Sequence, residues 1–319
     1  MRRRAVLAAL AFAAGGGATA QEAWPARQVR IVIPFAAGGP QDIPTRIIAD
    51  RLSQRLGATF VVENRPGAGG GLGAQAVARA APDGATLLFI SASISILPTL
   101  QPALNFDPAR DLDPLTIVCD LPAGLLVRAD SRFGTLAELL AAARAEPGRL
   151  TFGTGGVGSA NHLTTALFAA MAGIELMHVP YRGVSQAVNA LFAGEINLLF
   201  GSSIEVLPHA QQGRARLLGV TTAERVALVP EVPAIGEQVP GYAAPNFFSM
   251  WAPRGLPAPL RDRLVTELAA MREDPQLRER IAAAAGILRL DGPAVLAARL
   301  AEESAKWRGL IQSAGIRPE

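Results

Sequence analysis

Cysteine is nearly absent from this chain of 319 residues, which has one, Cys119. A single thiol forms no internal disulfide, and this one reads as a small buried apolar residue. Histidine is almost as scarce. His162, His178 and His209 lack metal-ligand spacing, so neither a metal nor a cofactor is expected. No stretch reaches about 18 uninterrupted apolar residues, which excludes a membrane-spanning helix. No run of basic residues suits a nucleic acid. The 30 Lys and Arg against 27 Asp and Glu are no guide, because Arg2, Arg3 and Arg4 belong to a leader; without them the balance is even. No G-x-S-x-G turn occurs, which removes the usual setting of a serine nucleophile in an α/β hydrolase.

The leader is the first feature present. Arg2-Arg3-Arg4 is a basic segment, Ala5 to Ala14 an apolar one, and Ala18-Thr19-Ala20 an A-x-A cleavage signal. Export to the periplasm with cleavage near Ala20 is expected, leaving a mature chain from Gln21. With 50% hydrophobic and 18% charged residues, the remainder is ample for one large or two medium domains.

Two glycine-rich turns organise that remainder. Arg30 to Phe35 is an apolar strand, followed by Ala36-Ala37-Gly38-Gly39-Pro40-Gln41-Asp42 and a helix. Arg149 to Phe152 is another strand, followed by Gly153-Thr154-Gly155-Gly156-Val157-Gly158-Ser159-Ala160-Asn161-His162 and a second helix. A turn of this kind aims free N–H groups at one point, and the helix dipole adds partial positive charge there, which suits an anion. Gly153, Gly155 and Gly158 also fit G-x-G-x-x-G. A dinucleotide site needs an acid at the end of the next strand, however, and Glu175 precedes that strand.

The chain in order alternates strand and helix. Thr59–Val62 and Thr86–Ser91 read as strands, and Asp42–Leu56, with Ile43, Ile47, Leu52 and Leu56 inward, as a helix ended by Gly57. The pattern predicts a parallel, doubly wound α/β sheet. A crossing near 115–127 leads to a second series. Its strands are expected near 150–153, 176–179, 196–200 and 216–221, and its helices near 159–171, 184–192 and 204–211. Thr135, with Glu138 three residues on, caps a further helix. Asn246 to Pro253 reads as the return crossing, before helices at Pro259–Arg272, Pro275–Ala284 and Pro293–Ser313. The order predicts a two-lobed α/β protein, two doubly wound sheets joined by two crossing segments: residues 21–122 and 248–319 form one lobe, 123–247 the other, with a cleft between them.

Several segments together resemble a known family. They are Pro34-Phe35-x-Ala37-Gly38-Gly39-x-x-Asp42, Val62-Glu63-Asn64-Arg65-Pro66-Gly67-Ala68-Gly69-Gly70 and Ala81-Pro82-Asp83-Gly84-x-Thr86-Leu87, then His178-Val179-Pro180-Tyr181-Arg182-Gly183 and Ala314-Gly315-Ile316. In this order they resemble the Bug family, or TctC-like receptors, the substrate-binding component of tripartite tricarboxylate transporters. The resemblance covers nearly all the mature chain. It implies a type II two-lobed periplasmic binding protein, not an enzyme, that holds a small carboxylate in the interlobe cleft and delivers it to a membrane permease. Members often have Ser where this chain has Asn161, and Asp where Gly201-Ser202-Ser203 follows the strand. The ligand of a relative therefore does not transfer.

The candidate ligand-binding residues follow from both lines. In the first turn they are Phe35, Ala37, Gly38, Gly39, Gln41 and Asp42; in the second, Thr154, Gly155, Gly156, Val157, Gly158, Ser159, Asn161 and His162. Ser91, Ser93, Ser202 and Ser203 lie at or just past strand carboxyl ends, where hydroxyls donate to a ligand or hold bridging waters. Asp42 either meets a ligand ammonium or is simply an acid favoured in a first helical turn. Tyr181 either reaches the ligand with its hydroxyl or packs near the hinge. His162 reads as a residue at the start of its helix that bonds backbone or lines the cleft wall. The ligand expected is a mono- or dicarboxylate, an aromatic acid or an amino acid, bound by a monomer. The competing readings are an extracytoplasmic hydrolase of small esters and a ligand sensor for a membrane signalling partner.

Overall fold

The structure, a computed structural model, describes Trp24 and residues 28–316. The proposed cleavage site at Ala20 lies outside the described residues. The first series is β1 (Gln28–Ile33), α1 (Asp42–Leu56), β2 (Thr59–Asn64), α2 (Gly71–Ala78) and β3 (Thr86–Ser91). Single helical turns α3 (Leu97–Leu100) and α4 (Pro108–Asp111) lead to β4 (Leu112–Leu121). The second series is β5 (Ala123–Arg128), α5 (Leu136–Ala145), β6 (Thr151–Thr154), α6 (Ala160–Ala172), β7 (Met177–Pro180), α7 (Val184–Ala193), β8 (Leu198–Ser202), α8 (Ser203–Gln211) and β9 (Ala215–Val220). The chain ends with β10 (Asn246–Pro253), α9 (Ala258–Ala270), α10 (Pro275–Ala283), β11 (Ile287–Asp291) and α11 (Pro293–Ser313).

These strands build two sheets, ordered β11-β4-β10-β3-β1-β2 and β7-β6-β8-β5-β9. The β-α repeat of the first hundred residues is parallel as expected, and each sheet also takes antiparallel strands. β1 pairs in parallel with β2 and β3, whereas β10 is antiparallel to β3 and β4. In the second sheet β6 is parallel to β7 and β8, and β5 antiparallel to β8 and β9. β10 and β5, which run against the parallel strands of their sheets, each begin where the chain enters from the other lobe. A strand entering from the other lobe need not make a right-handed βαβ crossover, so no helix fixes its direction.

Alternation along the strands separates the cores. Leu87 and Phe89 of β3 face one core with α1, α9 and α10; Leu88 and Ile90 face another with α2 and the start of α11. All of β3 is buried, as expected of a strand covered on both faces. Cys119 lies fully buried in the first of these cores. In α1 the inner stripe is Ile47, Ile48 and Leu52; Ile43 is 52% exposed, because the first turn stands beyond the carboxyl end of β1. Thr135 and Glu138 form the expected capping box of α5.

The lobes are joined at two adjacent crossings. β4 ends at Leu121 and β5 begins at Ala123, with only Pro122 between them. The return passes beside it, where Ala244 N–H donates to Thr221 O at 2.8 Å and Asn246 pairs with Leu121. A third connection was not legible in the sequence. Leu296 and Leu300 of α11 pack in a first-lobe core, but Trp307, Leu310 and Ile311 pack among the second-lobe residues Phe168, Phe200 and Tyr242.

Candidate functional site

Both glycine-rich turns open on one interlobe cavity of about 600 Å³. The first lobe contributes Phe35, Ala36, Gly39, Pro40 and Gln41 from the β1–α1 turn, with Ser91, Ser93 and the segment through Gln101 after β3. The second lobe contributes Val157, Gly158, Ser159 and Ala160 from the β6–α6 turn, with Val184 and Glu205. Asn246 and Phe248 close the hinge side. Of the residues expected from sequence, Phe35, Gly39, Gln41, Ser91, Ser93, Val157, Gly158 and Ser159 meet here.

The other expected residues do not line this cavity. Ala37 and Gly38 are exposed outside it. Asp42 turns into the protein: Arg46 donates to both its oxygens at 2.9 and 3.1 Å, and Asn64 Nδ2 donates at 3.3 Å. The Arg46 guanidinium holds the Asp42 carboxyl below its usual range despite burial, which raises it. Asp42 is thus an organiser of the turn rather than a ligand for an ammonium. Asn64 Nδ2 also donates to Phe35 O at 3.0 Å, fixing the backbone beneath that ring.

In the second turn most glycine N–H groups are already used. Gly155 N donates to Asn161 Oδ1, Gly156 N to Thr154 Oγ1 and Gly158 N to His162 Nδ1, at 3.3, 3.2 and 3.0 Å. Thr154, Gly155, Asn161 and His162 are therefore the frame of the turn, set behind the cavity wall. The glycines give the turn its shape, most plainly Gly156 at φ 119°, where a Cβ is strained. The free donors lie one step on. The first N–H groups of α6, at Ala160 and Asn161, have no intrahelical acceptor. Ser159 does not cap them, since its hydroxyl faces two other acceptors for its one hydrogen, Gly156 O at 2.6 Å and Asn161 Oδ1 at 2.7 Å.

A stack of rings supports this frame. His162 lies on His178 with centroids 4.1 Å apart and planes 9° from parallel, and His178 lies on Phe152 at 4.9 Å. Burial, with His178 adding to it, pushes the His162 imidazole down to about 4. Burial lowers His178 as well. Neutral His162 accepts from Gly158 at Nδ1, so its proton sits on Nε2. Thr154 Oγ1 and His178 Nε2 are 2.6 Å apart. Ser159 and His162 make their hydrogen bonds elsewhere and form no Ser–His pair.

Ser202 is occupied in a capping box with Glu205, and Ser203 Oγ donates to Ala285 O at 2.7 Å, across the lobes. Tyr181 lies behind the turn, with Gly156, Val157, Pro180, Arg182 and Gln186 around a side notch of about 460 Å³. Its hydroxyl points at Glu195, 3.5 Å away, not at the cavity. The cavity residues that sequence reasoning missed are Ala36, Pro40, Ile96, Leu97, Leu100, Gln101, Ala160, Val184, Glu205, Asn246, Phe248 and the backbone at Gly69. The stretch from Ala92 to Leu104 folds as short turns with no periodicity to read. Two buried side-chain atoms lack a partner at the site, Gln41 Oε1 and Asn161 Nδ2, on residues 7% and 9% exposed.

Two α/β lobes, two adjacent crossings and a cleft fed by a helix start from each lobe define a two-lobed periplasmic binding protein. The chain belongs to the TctC family, the tripartite tricarboxylate transporter family receptors, whose model matches residues 45–316. A UPF0065 protein of Pseudomonas sp. is 38% identical over 97% of this chain and 94% of its own length. The solved periplasmic binding protein BugD is 31% identical, with TM-score 0.77 over 93% of this chain and 100% of its own. The R. palustris protein Rpa4515, solved with adipate, is 33% identical, with TM-score 0.81 over 93% and 100%. The family acts outside the cytoplasm, and its members bind solutes.

Proposed function

We propose that this chain captures a small organic anion with one or two carboxylates between its lobes and delivers it to the membrane subunits of a tripartite tricarboxylate-type permease. The lobes in this reading are residues 21–122 with 248–319, and residues 123–247. The observation that carries the proposal is the pair of helix starts without a side-chain cap on one cavity whose wall, among the described residues, has no cationic side chain. Such N–H groups hold a carboxylate through the helix dipole and hydrogen bonds alone. The apolar remainder of the wall, Phe35, Leu97, Leu100 and Phe248 among it, suits a short carbon skeleton. Rpa4515, with its adipate, supports the same ligand chemistry.

A thermal-shift screen of mono- and dicarboxylates, amino acids and aromatic acids tests it. At a hundredfold excess over Kd a true ligand adds about 2.7 kcal/mol of stability. The expected result is a saturable shift with at least one carboxylate and none with neutral sugars. Shifts confined to sugars or metal ions would overturn the reading.

A further inference from the structure

Glu205 is the one ionisable side chain among the described residues that line the cleft. Its position is held firmly: Ser202 N and Ser202 Oγ both donate to Oε2, at 2.8 and 2.7 Å. With Oε2 occupied by the helix cap, Oε1 is the oxygen left for a ligand. Gln41 Oε1, from the other lobe, also lacks a partner but is enclosed by protein atoms and closed to a ligand. The cleft thus combines helix N–H donors for an anion with one anionic acceptor that lacks a donor. An ionised group left without a partner in a closed site is costly. A carboxylate beside a second carboxylate is repelled at short range in a partly desolvated cleft.

Resting on the receptor reading above, we infer that the ligand is a monocarboxylate whose far end carries a hydrogen-bond donor, an ammonium above all, and not a symmetrical dicarboxylate. The ligand carboxylate meets the helix starts at Ala160 and in the β1–α1 turn. Its ammonium meets Glu205 Oε1. One end-group then satisfies that acceptor and neutralises the cleft's single charge, which a second carboxylate does neither of. The preference belongs to the far end of the ligand, so it is separable from binding itself.

Calorimetric titration of matched pairs tests this: succinate against 4-aminobutanoate, adipate against 6-aminohexanoate, and terephthalate against 4-(aminomethyl)benzoate. The wild-type protein is expected to favour the amino partner of the tightest pair by about tenfold or more. Glu205→Gln keeps an acceptor for the Ser202 cap, so the helix start is preserved, and its thermal melt checks the fold. In that variant the ratio is expected to fall to less than a third of its wild-type value. A smaller wild-type advantage, a preference for the diacid, or a ratio unchanged in Glu205→Gln overturns the inference. Diacid binding alone would do so while leaving the carboxylate receptor intact. Failure of all six compounds to bind would overturn both.

Discussion

At the scale of single residues, His162 is kept neutral by its packing between a glycine turn and the His178 ring. Its folded value, about 4, lies below the ordinary 6.5 of a free imidazole. A base whose value is lowered by folding takes up its proton more readily in the unfolded chain. The stability it contributes is fully present above about pH 6.5 and is lost as pH falls from there toward about 4. Urea melts across that window are expected to show wild type losing stability on acidification, with a shallower slope in His162→Gln. Equal slopes would remove His162 from the account. Glu205 and Asp42 make the opposite point about legibility. Both are first-turn helix acids in the sequence, and no pattern distinguishes them. Arg46, one helical turn along, and Asn64 draw Asp42 inward, while the Ser202 cap holds Glu205 at the cleft. Side-chain direction was decided by which partner folding brought within reach.

At the scale of elements, α11 is the instructive case. The apolar spacing of Leu296, Leu300, Trp307 and Leu310 announces a long helix, and 21 residues at about 1.5 Å each give roughly 30 Å. That reach exceeds one lobe's face, so the helix begins in one core and ends in the other. Trp307 is the anchor on the far side. Its Nε1 donates to buried Glu303 at 2.7 Å, and Lys306 donates to Ala243 O at 3.1 Å, beside the return crossing. Trp307→Ala is expected to cost about 3–5 kcal/mol by denaturant melts, as a buried aromatic lost from a core. A cost under about 1 kcal/mol would mean that α11 does not tie the lobes together. The strands and helices of both series were readable within a few residues, α1 to its very ends, because periodicity and caps are local. The turns between Ala92 and Leu104 were not, since they hold together through the surrounding core and not through a repeat.

At the scale of the whole molecule, two short crossings carry the chain between the lobes, while the end of α11 and the Ser203–Ala285 hydrogen bond join them by contact; a pair of adjacent crossings is the construction of a hinge. Small-angle scattering is expected to give a smaller radius of gyration with saturating ligand than without. An unchanged radius at saturation would mean that the cleft fills without closing. The α/β class, the order of strands and helices and the two glycine-rich turns followed from the sequence by itself, because each is written in residues close together in the chain. The antiparallel strands at the crossings, the span of α11, the inward turn of Asp42 and the placement of Glu205 at the cleft came only with the tertiary structure. Each depends on a partner remote in sequence or on a choice of orientation, and neither is expressed in local spacing.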